Sequence, residues 1–401
     1  MPSDSSDSGN GGRREQRAAE RTSVALLRYL LDHPGATAPE ASDELGMSFQ
    51  NVYRLIGDLR AADLLLSQDF KRTSRRGPQS QVVSLRPELG CTLGVDLEAT
   101  QVRGVVLDFA NQDAHVWRHP LAPTDGPREI LAAVAEAARS LAAQATAAGA
   151  PPLTVGLGLP GPLLDAATGR SHTRYQFGEA TLEFAPAVEA ACGLHPVTNH
   201  NAHCFALGHH RAHNPNRPGI ELVLLNRFGL AAALLWDGRL FTGSSSYAGD
   251  LGALSCPVGR GHASFNELCT GGALLSLART RGDGRSFGDL IRHPEDPLVN
   301  TWLEKAIPAF AAALHAGALI YNPHRILLEG IFNDLPADSR QRLLELATQA
   351  IERSGLQSPT VEFYDSDDLM GARGAAFLAR DEVADEALRG ILRSRPAAAP
   401  L

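Results

Sequence analysis

Two stretches of the chain, about 130 residues apart, are written in the same pattern. The first, "CTLGVDLEATQVRGVVLDFANQDAHVWRH" from Cys91, alternates apolar runs with short polar turns, which predicts three antiparallel strands. A helical stretch, "PREILAAVAEAARSLAAQATAAG", and a buried-type strand, "LTVGLGLPGPLLD", follow it. The second stretch, "ELVLLNRFGLAAALLWDGRLFTG", turns tightly at Asp237-Gly238. It leads to a helix, "NTWLEKAIPAFAAALHAGALIYNP", a strand, "RILLEG", another helix and the strand "TVEFYD". The echo predicts a duplicated βββαβα unit, hence two α/β lobes with a cleft between them.

The residues before this body follow a different rule. In "SVALLRYLLDH", Val24, Leu27, Leu30 and Leu31 share one helical face, and His33-Pro34-Gly35 stops the helix. Thr37 and Glu40 have capping-box spacing, so a second helix starts at about residue 38 and ends at Gly46. Ser48 caps a third helix, in which Val52, Leu55, Ile56 and Leu59 form a buried stripe. Helix, glycine turn and helix, followed by strands "LLLSQ" and "SQVVSLR", predict a winged helix-turn-helix. The third helix would carry Ser48, Gln50, Asn51 and Arg54 to duplex DNA, since Gln and Asn pair with adenine and Arg with guanine or phosphate. The connecting loop "DFKRTSRRGPQ" brings Lys71, Arg72, Arg75 and Arg76, a wing suited to the phosphate backbone.

Charge points the same way, weakly. Residues 13–86 hold 12 Lys/Arg against 9 Asp/Glu, whereas the whole chain is at −8. A basic head on an acidic body fits nucleic acid at the head alone. No apolar run approaches the ~20 residues of a bilayer span, so no membrane partner is expected. The N-terminus has no signal-peptide core. Five scattered cysteines, Cys91, Cys192, Cys204, Cys256 and Cys269, predict no disulfide framework and a cytoplasmic location. The expected division is a disordered tail over 1–21, the head over 22–88, a first lobe over 89–205 and a second over 206–375. A last helix at about 376–395 is expected to return to the first lobe.

Histidines crowd "LHPVTNHNAHCFALGHH", residues 194–210: His195, His200, His203, His209 and His210. No two of these five have the i, i+4 spacing of a helical zinc pair, and no metal is expected there. His203, His209 and His210 read as ordinary surface or interlobe residues of the following helix.

A winged head followed by "LGVDLEATQVRGVVLD", "GLGLPGPLLD", "PVTNHNAHCFALG", "WDGRLFTGSSSYAGDLGAL" and "FNELCTGGALLSL" resembles the ROK family of bacterial repressors and sugar kinases, from about residue 22 to 380. The resemblance implies an actin-like, ribonuclease H-like ATPase fold, a homodimer or homotetramer, and a sugar between the lobes. It also implies where chemistry should sit. The family's catalytic aspartate falls at His200 in "NHNA"; a phosphate-loop glycine falls at Glu98; the second phosphate loop, "NRFGLAAA", keeps only Gly229; and Gly330 alone remains of the adenosine-side pair. Glu98 would repel a polyphosphate by about 4 kcal/mol at 4 Å and an effective dielectric of 20. These departures lead to the expectation of a protein that is not an enzyme and holds no cofactor. The effector set implied by the resemblance is Asn199, His200, Asp250 and Glu267, suited to a small sugar or sugar derivative. The family's zinc histidine falls at Ala253, and Cys256, His262 and Cys269 lack tetrahedral-site spacing. The expected protein is a transcriptional regulator, a repressor, that binds an operator in double-stranded DNA; the alternatives are a sugar kinase with an accessory DNA-binding head and an effector-independent DNA binder whose body is an oligomerisation scaffold.

Overall fold

The computed structural model describes residues 8–394 apart from 73–78, 123, 162, 174–179, 214–217, 245, 247, 259–260 and 366. Arg75 and Arg76 therefore lie outside the described residues, as do the side chains of Lys71 and Arg72.

The head comprises α1 (Ser8–Asp32), β1 (Ala36–Thr37), α2 (Ala38–Leu45), α3 (Phe49–Ala61), β2 (Leu65–Arg72) and β3 (Gln79–Leu85), with its strands in the order β1-β3-β2. Local chemistry sets the ends. Thr37 donates from its backbone N–H and its hydroxyl to Glu40 Oε2, at 2.8 and 2.9 Å. Gly46 closes α2 in the left-handed region, at φ 61°. Ser48 Oγ accepts from the Asn51 N–H at 3.3 Å. Val24, Leu27, Leu31, Val52, Leu55 and Ile56 form one core with Val83 and Leu85 of the sheet. One expectation needs correcting. The tail expected to be disordered through residue 21 is helical from Ser8, because Arg, Glu and Ala favour helix and Arg393 pairs with Glu20 at 2.9 Å.

The first lobe is built from β4 (Cys91–Leu97), β5 (Gln101–Asp108), β6 (Asp113–Pro120), α4 (Pro127–Ala147), β7 (Pro152–Leu159), β8 (Leu163–Asp165), β9 (Arg170–Thr173), β10 (Ala180–Glu183), α5 (Ala185–Cys192) and β11 (Pro196–His200). Its main sheet has the order β11-β7-β4-β5-β6, with β4, β5 and β6 antiparallel and β7 parallel to β4. The helix α6 (Asn201–His213) then runs unbroken through the boundary expected after residue 205.

The second lobe follows with β12 (Ile220–Asn226), β13 (Leu230–Trp236), β14 (Arg239–Phe241), β15 (Ser255–Val258), β16 (Gly261–Ser264), α7 (Phe265–Cys269), α8 (Gly271–Thr280), α9 (Phe287–Ile291), α10 (Pro297–Tyr321), β17 (Arg325–Gly330), α11 (Ile331–Asp334), α12 (Ala337–Arg353) and β18 (Thr360–Phe363). Its sheet, β14-β13-β12-β17-β18, repeats the first lobe's order strand for strand. Asp237 and Gly238 turn the β13–β14 hairpin with φ of 48° and 71°. By length and composition α10 is apolar enough to cross a bilayer, which the sequence scan for apolar runs passed over. Its Trp302, Phe310 and Leu314 are instead packed into the second lobe's core, each contributing about 1.5–3 kcal/mol of burial.

The last helix, α13 (Met370–Ser394), returns to the first lobe and binds the parts together. It lies so close to the sheet that a Cβ on Gly94 would stand 1.9 Å from the Ala372 carbonyl, and one on Gly156 would stand 1.9 Å from the Ala375 carbonyl. Its far end, at Ala384 and Leu388, joins the head's core together with Phe109 of the first lobe.

Candidate functional site

Between the lobes lies a cavity of about 260 Å³, lined from one side by Glu98, His172, His200, Asn201 and His203 and from the other by Arg227, Gly229, Gly249, Asp250 and Asn266. The parallel strand β11 delivers the first set. It ends at His200, and α6 starts at once, so Asn199 and His203 come within one turn of each other. Asn199 is buried; its Oδ1 accepts from the His200 N–H at 2.7 Å and faces His203 Nδ1 at 2.8 Å. His203 Nε2 faces the Ala248 carbonyl of the other lobe at 3.0 Å. Both of its neighbours are acceptors, so a neutral ring satisfies one of them and a protonated ring both. Burial holds the His203 pKa below the ordinary histidine value, against the opposing pull of the Ala248 carbonyl.

His200 accepts the Ala202 N–H at Nδ1, at 3.1 Å. Burial, then His203, pushes its pKa down to about 3, so the ring is neutral and carries its proton on Nε2. Where a carboxylate would accept, this position donates.

The floor of the cleft is charged. Glu98 pairs with Arg103, which is buried, and lies 3.4 Å from Arg227, which in turn holds Glu329 at 2.7 Å. Beneath them Asp96 is buried, and burial followed by the nearby Glu98 pushes its carboxyl up to about 7. Gly158 and Gly371 make room for it: a Cβ on either would come within 2.8 or 2.5 Å of its carboxylate oxygens.

Of the four expected effector residues, His200 and Asp250 line the cavity, and Asn199 lies buried behind it, its Oδ1 held by His200 and His203. Glu267 does neither. It is exposed, and Oε2 takes hydrogen bonds from the Ser264 N–H and hydroxyl at 2.7 and 2.8 Å, capping α7. Those bonds, the backbone one first, hold its carboxyl below the ordinary range. Its neighbour Asn266 faces the cleft instead, with Oδ1 accepting the Leu230 N–H at 2.8 Å. The sequence reading also missed Arg227 and the double role of His203. The i, i+4 spacing of Asn199 and His203 was the available signal.

Of the two placements expected for His203, His209 and His210, surface or interlobe, the structure shows the second: each is 2 % exposed and meets the second lobe, at Ala248, Tyr364 and Glu221 respectively. His210 pairs with Glu221 at 3.2 Å, and His209 stacks on His213 at 4.9 Å, an i, i+4 pair just beyond the stretch first considered. Among the described residues, no group of three or more His, Cys, Asp or Glu side chains is placed to hold a metal ion.

On α3, Gln50 and Arg54 are exposed, whereas Asn51 is half-buried beside Met47 and accepts from Arg54 at 3.2 Å. Ser48 is spent on the helix cap.

The model of the ROK family matches residues 92–382. An N-acetyl-D-glucosamine kinase of Aliivibrio salmonicida is 26 % identical over 250 residues, covering 56 % of this chain and 80 % of the relative. The crystal structure of a ROK hexokinase from Thermus thermophilus matches 74 % of this chain and 99 % of its own, at 23 % identity and a TM-score of 0.60. A ROK family transcriptional regulator, a homolog of the E. coli MLC protein, matches 93 % of this chain and 97 % of its own, at 16 % identity and a TM-score of 0.68. The expectation that altered phosphate loops rule out an enzyme is overturned: kinases are among the relatives, and Glu98, charged with repelling phosphate, is paired with Arg103 and lies beside Arg227. Over more than two thirds of its length, the chain belongs to the ROK family.

Proposed function

We propose that this protein is a cytoplasmic transcriptional regulator, a repressor, whose N-terminal winged helix-turn-helix binds duplex DNA and whose interlobe cleft binds a sugar or sugar derivative. The observation that carries this reading is the solvent face of α3, which leaves Gln50 and Arg54 exposed at the outer side of a complete three-helix, three-strand unit. The likeness to a regulator over 93 % of this chain, against 74 % for a hexokinase, supports it, because the longer match extends into the head. Lys71, Arg72, Arg75 and Arg76 would supply the phosphate contacts. A homodimer or homotetramer would present two heads to half-sites about 34 Å apart, or a multiple of that. Ligand would act by favouring one arrangement of the lobes over another.

Genomic footprinting, followed by mobility-shift titration of the recovered sites with a panel of hexoses and amino sugars, tests this. Specific sites whose occupancy changes with one sugar are expected. No enrichment of any site counts against the DNA-binding head, and occupancy indifferent to every sugar counts against the effector.

A second reading is sugar phosphorylation in the same cleft, favoured by the N-acetyl-D-glucosamine kinases among the relatives. A coupled assay with ATP and N-acetyl-D-glucosamine tests it directly, and turnover at kinase rates would make catalysis the primary task.

A further inference from the structure

The face of α3 that looks away from the body carries more apolar surface than a solvated helix needs. Phe49 is 51 % exposed and Tyr53 65 %, with their rings 6.0 Å apart, one helical turn from each other. Both flank the buried stripe of Val52, Leu55, Ile56 and Leu59 on the side that continues to Gly57, Gln50 and Arg54, and neither belongs to the head's core.

The same face holds a second anomaly. Gly57 sits inside α3, one turn beyond Tyr53, where glycine costs a helix about 1 kcal/mol relative to alanine. Nothing among the described residues calls for it. A Cβ built there meets no atom within 4 Å, and no positive φ requires glycine. An exposed helical glycine without an internal reason fits a surface that something outside approaches closely.

Charge selects what that something is. Arg54 lies on this face, held loosely to Asp58 at 2.9 Å with both side chains largely exposed, and the sequence between β2 and β3 is rich in Lys and Arg. A polyanion with apolar points along its groove satisfies both features. The thymine C5-methyl is the apolar point that the DNA major groove offers.

Resting on the DNA-binding reading, we infer that Phe49 and Tyr53 are specificity-determining residues that contact thymine methyl groups, and that Gly57 lets the sugar-phosphate backbone approach α3. The preferred operator then has A·T pairs beneath the start of α3. Gln50 and Arg54 read hydrogen-bonding edges beside them.

The test starts from duplexes selected by the full-length protein from a random-sequence library. The selected duplex is then synthesised with uracil in place of thymine, which removes the methyl and keeps the pairing. Uracil is expected to weaken the wild type about fourfold per methyl, the worth of one buried methyl group. Phe49→Ala and Tyr53→Ala are expected to bind the thymine duplex more weakly and to lose the difference between thymine and uracil. Gly57→Ala should lower DNA affinity at least tenfold while the melting temperature stays level or rises, a pairing that a folding defect does not produce. Selected DNA that binds tightly, with equal affinity for the uracil version, overturns the methyl contact and leaves the DNA-binding reading standing. A consensus without A·T pairs, unchanged affinity in Phe49→Ala, or wild-type affinity in Gly57→Ala overturns it likewise. Failure to select any duplex removes the reading on which it rests.

Discussion

Arg211 on α6 donates to Asp32, the last residue of α1, at 2.8 Å, and with its other terminal nitrogen to Asp381 of α13, also at 2.8 Å. One helix therefore touches the cleft at its start, through Asn201 and His203, and the head at its end. Burial alone would raise the Asp32 carboxyl, but Arg380, Arg211 and Arg28 outweigh it and hold the group below the ordinary range. A shift of α6 caused by a ligand in the cleft would therefore reach the residues that anchor the head. Arg211→Ala should keep both DNA and sugar affinity, since Arg28 and Arg380 still hold Asp32, while most of the effect of sugar on DNA affinity disappears. Couplings of this kind are worth about 1–3 kcal/mol. Mobility-shift titrations with and without sugar measure it, and undiminished coupling in the variant would show that the signal travels by another route.

Arg380 tests the same anchor for stability. It is 1 % exposed, donates to Asp32 at 2.6 Å and to the Leu31 carbonyl at 3.2 Å, and burial pushes its pKa down to about 10 despite Asp32 and Asp381. Arg380→Ala is expected to cost about 3 kcal/mol, the low end for breaking a buried pair, because two arginines remain beside Asp32. Urea denaturation followed by circular dichroism checks this; a loss below about 1 kcal/mol would mean the pair is dispensable.

Glycines on α13 decide the body's stability by contact. A Cβ on Gly374 would stand 1.6 Å from the Cys204 carbonyl of α6, whereas one on Gly390 meets nothing within 4 Å. Gly374→Ala should destabilise by more than about 3 kcal/mol or prevent folding. Gly390→Ala should be neutral or slightly stabilising, as alanine is the better helix former. Thermal melts of the two variants, equal within error, would contradict the close approach.

Acid should loosen the interlobe region. Burial, then His213 and Arg325, pushes the His209 pKa down to about 4. A histidine depressed on folding contributes stability above its unfolded pKa of about 6.5 and loses it as pH falls through the folded value. His200 and His203 act in the same direction. Asp96 opposes them: its raised carboxyl costs stability as pH climbs from about 4 to about 7. The informative quantity is therefore the difference between wild type and His209→Gln. The melting temperature of the variant should fall less steeply between about pH 6.5 and pH 4. Parallel curves would mean that His209 is not held neutral.

The ligand site makes a contrast between neighbours. Glu267→Gln should leave sugar affinity unchanged and weaken the α7 cap by about 1 kcal/mol. His200→Ala should reduce affinity at least tenfold by removing a polar partner from the cleft, and Asn199→Ala should do so by releasing His200 and His203, which its Oδ1 holds. Isothermal titration with the responsive sugar separates them, and a loss in Glu267→Gln equal to that in Asn199→Ala would return Glu267 to the site.

Much of this molecule was written locally. Thr37, Glu40, Gly46 and Ser48 mark the ends of α2 and α3 through bonds spanning a few residues, and the two echoed strand patterns carry the repeated sheet order. The position of β11 before α6 likewise brings Asn199, His200 and His203 together, since they are close in sequence. Other features depend on partners far along the chain. Glu267 and Asn266 are adjacent, yet the packing of α7 on β13 turns one outward to its own cap and the other to the cleft. Glu98 reads as an unopposed charge until the pairing of β5 with β4 sets Arg103 against it and folding adds Arg227 from 129 positions away. Gly94, Gly156 and Gly374 have no turn to explain them; only the return of α13 shows that their missing Cβ atoms are the space it occupies. Short-range hydrogen bonds and periodicity are encoded where they act, whereas charge compensation and close packing are properties of surfaces that exist only after the chain has met itself.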